Sequence, residues 1–333
     1  GTAVTFELSD GSFSATLSGF ASISASSVLV QYTSATGALS AVETLTVGAV
    51  SYTFTQAIAA NTVAFAVTGF SAVVSSFVTL SGDLGFSKIG SEIIAVGSSV
   101  TATLSAGTAS VSLTNAKFGL KVNGTAVTFE LSDGSFSATL SGFASISASS
   151  VLVQYTSATG ALSAVETLTV GAVSYTFTQA IAANTVAFAV TGFSAVVSSF
   201  VTLSGDLGFS KVGSNLVAVG SSVTATLSAG TASVSLTNAK FGLKVNGTAV
   251  TFELSDGSFS ATLSGFASIS ASSVLVQYTS ATGALSAVET LTVGAVSYTF
   301  TQAIAANTVA FAVTGFSAVV SSFVTLSGDL GFS

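Results

Sequence analysis

The chain has no cysteine, proline, methionine, tryptophan, histidine or arginine, and each absence removes a class of chemistry. Without cysteine there is no disulfide framework and no thiolate metal site. Without histidine or cysteine the commonest general bases and activated nucleophiles are gone, and none of the abundant serines has partners for a catalytic triad. With no Met, Cys or Trp the chain offers almost nothing to oxidise, which suits an exposed, long-lived material. Charge is scarce too. Charged residues make up 6% of the chain, against about 25% in an average protein. The net charge of −7 and six scattered lysines exclude a basic footprint for nucleic acid and argue against an anionic membrane surface. Although 49% of residues are hydrophobic, no apolar run approaches the ~18–20 residues of a membrane helix. Disorder is excluded as well, because disordered chains are apolar-poor and charge-rich.

What is present is repetition. Residues 1–123 recur at 124–246, and residues 1–87 recur again at 247–333. The two full copies differ at four positions, Ile89/Val212, Glu92/Asn215, Ile93/Leu216 and Ile94/Val217. Only the second pair changes charge. Opening at Gly1 and stopping at Ser333 inside a third copy, the sequence is expected to be a window on a longer array. On sequence period the organisation is repeat 1 (1–123), repeat 2 (124–246) and partial repeat 3 (247–333).

Within a repeat, apolar and polar residues alternate with period two, as in strands with one buried face. Val100, Ala102, Leu104, Ala109, Val111 and Leu113 share one face of 99–114, with Ser and Thr on the other. Glycines punctuate the pattern where positive φ is needed. Ala106-Gly107 predicts a two-residue turn pairing Leu104 with Ala109. Asp10-Gly11 predicts another, setting Val4, Phe6 and Leu8 opposite Phe13, Ala15 and Leu17. Val47-Gly48 predicts a third, bringing Glu43 onto the buried face near Tyr52. Asn123-Gly124 predicts a hairpin across the repeat junction that sets Lys117 opposite Glu130, and Lys240 opposite Glu253, on the solvent face. No Pro-rich or Gly/Ser-rich linker separates the repeats, so the sheet is expected to run through residue 123.

The apolar parity switches near Asn115-Ala116, as a β-bulge requires. Leu17-Ser18-Gly19-Phe20 and Val67-Thr68-Gly69-Phe70 look like kinks of a second kind. The expected fold is all-β: an antiparallel meander of amphipathic, bulged strands forming a sandwich-like or flattened-barrel rod. A parallel β-solenoid is the alternative, disfavoured because parallel coils cannot use two-residue hairpin turns.

Candidate chemistry is sparse. Asp10 reads as a turn residue. Asp83 has no second acid near it in sequence to share a calcium ion, which takes six to eight oxygens. Gly82, Gly85, Gly90 and Gly97 lack the lysine and the strand–helix context of a phosphate loop. Asn123-Gly124-Thr125 matches a glycosylation acceptor but is explained by the turn. No catalytic, cofactor or metal site is expected, and the chain does not read as an enzyme.

Near-identical β-repeats of this composition resemble the tandem-repeat regions of giant bacterial surface and secreted proteins, repeat adhesins and filament-forming proteins. The chain departs from many calcium-stiffened adhesin repeats in lacking Asp-rich linkers. The resemblance implies secretion, an extracellular or cell-surface location, and copies of the chain itself as partners. The expected function is a structural fibre, sheath or stalk. A Ser/Thr-face array binding ice or carbohydrate is a second possibility, drawing on Thr44/Thr46, Thr53/Thr55 and Thr101/Thr103. An outer-membrane β-barrel is a third, against which stand the lack of Trp and of long loops. Few lysines and no proline leave sheet edges unguarded, so other copies are expected to occupy them.

Overall fold

A computed structural model describes residues 2–39, 43–75, 77–162, 165–198, 200–285, 289–321 and 323–333. Among the described residues repeat 1 forms eight strands: β1 (Thr5–Leu17), β2 (Ala21–Thr33), β3 (Thr44–Val47), β4 (Val50–Thr53), β5 (Thr62–Val74), β6 (Val78–Ile89), β7 (Glu92–Ala106) and β8 (Ala109–Asn123). Repeat 2 gives β9 (Ala126–Leu140), β10 (Ala144–Thr156), β11 (Thr167–Val170), β12 (Val173–Thr176), β13 (Thr185–Val197), β14 (Val201–Val212), β15 (Asn215–Ala229) and β16 (Ala232–Asn246). Partial repeat 3 adds β17 (Ala249–Leu263), β18 (Ala267–Thr279), β19 (Thr290–Val293), β20 (Val296–Thr299), β21 (Val309–Val320) and β22 (Val324–Phe332). No helix occurs among the described residues.

The long strands follow an open antiparallel meander from β1 to β22 that omits only the short hairpins β3–β4, β11–β12 and β19–β20. The strand pairings are antiparallel, so the solenoid alternative falls, and the meander does not close into a barrel. Two compact units share the chain: residues 1–134 with 154–184, and residues 135–153 with 185–333. Their division cuts through β9 and β10, away from residue 123.

The turns joining long strands explain where the expected register needs correcting. In unit 2 Asn246 pairs with Ala249, so Gly247-Thr248 is the turn. In unit 1 Ala106 pairs with Ala109 around Gly107-Thr108. Gly107 and Gly247 have φ of 60° and 61°, while the Thr after each is not at positive φ. Glycine first and a negative φ second is the type II′ pattern. The sequence pattern puts glycine second, as in a type I′ turn, and the difference slides every pair by two residues. Leu104 therefore faces Val111, not Ala109. A slip of two preserves which side chains share a face, so the alternation survives while the partners change.

Asp10-Gly11 is not a turn. β1 runs straight through it, pairing with β2 along its length, with register shifts between Leu8 and Phe13. Asp10, at φ 60°, is a bulge residue. A two-residue hairpin and a one-residue bulge both switch apolar parity from even to odd, so parity alone cannot separate them. Asn115 (φ 58°) and Gly69 (φ 60°) sit at bulges as well, whereas Gly19 belongs to the turn from β1 to β2, where Leu17 pairs with Ala21.

Because β1, β2, β5, β7 and β8 are each bulged near the middle, where the apolar parity of their sequence switches, and β6 keeps one parity throughout, one face of unit 1 stays apolar from end to end. Its cross-strand rows read Leu8–Val30–Phe65–Phe86–Ala95–Leu120, then Ala15–Ile23–Ala72–Leu80–Ala102–Leu113 beyond the bulges. The opposite face has two halves. Beyond the bulges it carries hydroxyl rows such as Ser14–Ser24–Ser71–Ser81–Thr101. Before them lie Gln31, Ala64, Ala66, Ile94 and Val96, and this half is covered.

Candidate functional site: a hairpin seated on the preceding repeat

The cover is the short hairpin of the following repeat. In unit 1, β11–β12 lies over β5, β6, β7 and β8; in unit 2, β19–β20 lies over β13 to β16. Val47, Val50, Leu45 and Tyr52 supply the apolar side in each repeat copy, with Val47 opposite Val50 and Leu45 opposite Tyr52. In unit 1 the equivalent Leu168, Val170, Val173 and Tyr175 join Phe177 and Ile181 in one buried cluster with Ala64, Ala66, Ile94 and Val96. Unit 2 repeats it with Leu291, Val293, Val296, Tyr298, Phe300 and Ile304.

Glycines in the underlying strands let the hairpin come close. A Cβ on Gly85 would stand 2.7 Å from the Val170 Cβ, and one on Gly119 would stand 2.3 Å from the Tyr175 ring. Two members of the loosely Gly-rich run thus find a packing role: Gly85 under the hairpin, and Gly97 where a Cβ would strike the Phe118 ring.

β3–β4 shows the same hairpin without a seat. Val47 is 82% and Val50 74% exposed, against 3% for Val170 and 2% for Val173. Burying a Val or Leu side chain contributes about 1.5–3 kcal/mol, so Leu168, Val170 and Val173 together stabilise the seating by at most roughly 5–9 kcal/mol. The base of the excursion needs no neighbour: Phe54 and Ile58 are buried in every setting, like Phe177 and Ile181.

A buried glutamate ties the hairpin to the strands beneath it. Glu130 is fully buried and accepts hydrogen bonds from Tyr175 Oη at 2.6 Å, Gln154 Nε2 at 2.5 Å and the Thr178 amide at 2.6 Å. Gln179 Nε2 in turn donates to Gln154 Oε1. Glu253 repeats the set with Tyr298, Gln277 and Thr301, and Glu7 with Tyr52, Gln31 and Thr55. A buried charge is tolerable when its lone pairs are filled this way. Burial pushes the Glu7 carboxyl up, but the donors from Gln31, Thr55 and Tyr52 outweigh it and hold the group below the usual carboxylate range. Burial, then the bond to the glutamate, raises the Tyr175 and Tyr298 hydroxyls well above ordinary tyrosine. Each tyrosine ring also packs edge-on against the phenylalanine two residues on, at 5.5 Å in units 1 and 2.

Tyr52 therefore bonds a glutamate, but it is Glu7 and not Glu43, the residue expected beside it. Glu43 is exposed, and its carbonyl accepts from the Phe54 amide. Parity put Glu43 and Tyr52 together within the hairpin; the strand beneath supplies a better-shielded carboxylate. In the seated copies the Glu43 equivalents reach the preceding repeat instead. Lys121 Nζ lies 2.6 Å from Glu166 and 3.4 Å from Glu92, and Lys244 Nζ lies 2.6 Å from Glu289. The bond to Glu166 raises the Lys121 ammonium against the lowering effect of burial.

The expected Lys117–Glu130 pair is also corrected. Lys117 sits 3.1 Å from Asp133, and Lys240 3.1 Å from Asp256. In the true register Lys240 lies opposite Ser255, and Glu253 opposite Gly242. The two lysines do lie at solvent, about half exposed with their aspartates, whereas Glu130 and Glu253 are buried in the half of that face the hairpin covers. Asp83, weighed as a calcium ligand, instead accepts from the Gly69 amide at 2.8 Å and from Ser98 Oγ at 3.3 Å, holding the bulge in β5. Asp206 and Asp329 do the same for Gly192 and Gly315. Among the described residues no group of three or more His, Cys, Asp or Glu side chains is placed to hold a metal ion. Comparison with known proteins finds no matching family model, no matching curated protein and no matching solved structure.

Proposed function

We propose that the chain is a stretch of an extracellular or cell-surface structural protein, a fibre, sheath or adhesin stalk, and not an enzyme. The observation that carries this reading is the seating of the repeat 2 and repeat 3 hairpins, each on the strands of the repeat before it. Such an array is quasi-one-dimensional, its stability set by nearest-neighbour terms. Pulling one repeat away from the previous one must strip a buried apolar hairpin as well as break main-chain hydrogen bonds. Beads on a linker would offer neither resistance. The lack of oxidisable side chains supports service outside the cell, and near-identity of the repeats supports a chain selected for length and uniformity. Chain-to-chain β packing then bundles the arrays.

The test is to express one, two and three repeats and compare melting. An isolated 123-residue repeat has no neighbour to seat its hairpin or roof its sheet, so it should be poorly soluble or unfolded while longer chains fold. A single repeat as stable as the triple would sink the reading.

A further inference from the structure

In unit 1 the face opposite the hairpin is apolar over the whole strand length, and none of the described residues covers it. About a dozen large apolar side chains there, Phe6, Phe13, Leu17, Phe65, Phe86 and Leu104 among them, stand between 38% and 65% exposed. At roughly 80–100 Å² each, half of what an exposed aromatic side chain carries, they present about 1,000 Å². An ordinary monomer's largest apolar patch is about 300–600 Å². One partner's share of a stable protein interface is about 800 Å². Unit 2 carries the same pattern, with Val186, Phe188, Phe209 and Leu227 in the equivalent places.

We infer that this face is the interface between two copies of the chain, packed sheet against sheet with their hairpins outward. The inference rests on the structural reading above and names the surface through which arrays pair. Sheets pack face to face at about 10 Å when both inner faces are apolar and their side chains can interdigitate. This face is furnished for that. Its bulge line forms a trough of about 530 Å³ lined by Leu8, Phe13, Ile23, Val28 and Phe65, a receptor for side chains projecting from an opposing sheet. Among the described residues of its rows the charged one is Lys88, at the rim, where it pairs across β5 and β6 with Val63. A charge-free centre with a polar rim is the anatomy of a protein interface. Lipid is the poorer occupant, because an open sheet leaves unpaired edge groups that hydrocarbon cannot satisfy.

Sedimentation equilibrium on the full 333-residue chain tests this, with a triple variant Phe65→Glu, Phe188→Glu, Phe311→Glu and a control triple Thr79→Glu, Thr202→Glu, Thr325→Glu on the hydroxyl face. The wild type and the control should be dimers at micromolar concentration. The Phe variant should dissociate at least 100-fold more readily while keeping its β circular dichroism and the buried Tyr175 and Tyr298 environments. If the Phe variant does not fold, wild-type chain in increasing dye that binds apolar surface decides: a dimer leaves the face closed to dye until dilution below its dissociation constant. A wild type that is monomeric and binds dye at all concentrations overturns the inference. So does one whose copies separate on phosphatidylcholine vesicles and float with them. Either result leaves the one-, two- and three-repeat comparison untouched, so failure here is distinguishable from failure of the structural reading.

Discussion

The same hairpin occurs unseated once and seated twice, so one substitution can be compared against itself. Val→Ala at Val47, Val170 and Val293 removes identical atoms from three copies of one sequence. Val170 and Val293 are each 3% exposed, Val47 82%. Deleting two buried methyl-sized groups costs about 0.8 kcal/mol each in transfer, and the residual cavity adds to it, so each seated substitution should destabilise its unit by about 2–3 kcal/mol. At Val47 the change should stay within about 0.5 kcal/mol. The chain has two compact units, so a single unfolding free energy is not defined for it. Thermal melts should be resolved by calorimetry, and the seated variants should lower one transition by roughly 4–12 °C, at about 2–4 °C per kcal/mol for units of this size. Val170→Ala should move the unit 1 transition and Val293→Ala the unit 2 transition. The argument fails if Val47→Ala costs as much as Val170→Ala, or if Val170→Ala is neutral.

Gly85→Ala and Gly208→Ala should each destabilise by about 1–3 kcal/mol, because the added methyl meets Val170 or Val293 in an already filled layer; Gly331→Ala, with open space around it, should not, and the same calorimetry checks all three. Glu130→Ala strands the Tyr175 hydroxyl, the Gln154 amide and the Thr178 N–H, and at about 1–3 kcal/mol per unsatisfied group should cost more than 3 kcal/mol in urea denaturation. Tyr175, Tyr298 and Lys121 all have pKa values raised in the folded state. The stability they contribute is fully present below about pH 10, their unfolded values, and is lost as pH climbs through the folded ones. Absorbance at 295 nm should show two tyrosines ionising only as the chain unfolds in alkali; titration of all six near pH 10 with the fold intact would refute this. Glu7 runs oppositely: with its pKa depressed, its contribution is present above about pH 4.3 and fades as pH falls through the folded value, so Glu7→Gln should flatten acid unfolding of unit 1.

Much of the fold was legible because alternation is local. Leu104 and Ser105 on a strand must point opposite ways whatever else the chain does, so the all-β meander follows from one repeat's pattern. Register was less legible, since Asn123-Gly124-Thr125 allows glycine either central position of a turn and the choice moves Lys117 from one acid to another. Asp10-Gly11 misled because positive φ and a parity switch are shared by turns and bulges. The seat was hidden for a different reason. β3 and β4 are four residues long, too short for a periodic signal, and their partners lie in another repeat. The signals that could have found them were Gly85 and Gly119, small residues mid-strand where side chains should pack, and a hairpin tip with Val47 and Val50 side by side and nothing apolar in its own strands to cover them.

Because the hairpin reaches back, chain order becomes folding order. A ribosome finishes β8 of one repeat at Asn123 and must add about 50 more residues before β12 ends at Thr176. At ~5–20 residues per second the sheet just made stands open for roughly 3–10 s, its Ala64, Ala66 and Val96 wet, before the next repeat closes over it. The newest repeat is thus always the unfinished one, and completion travels along the array one repeat behind synthesis.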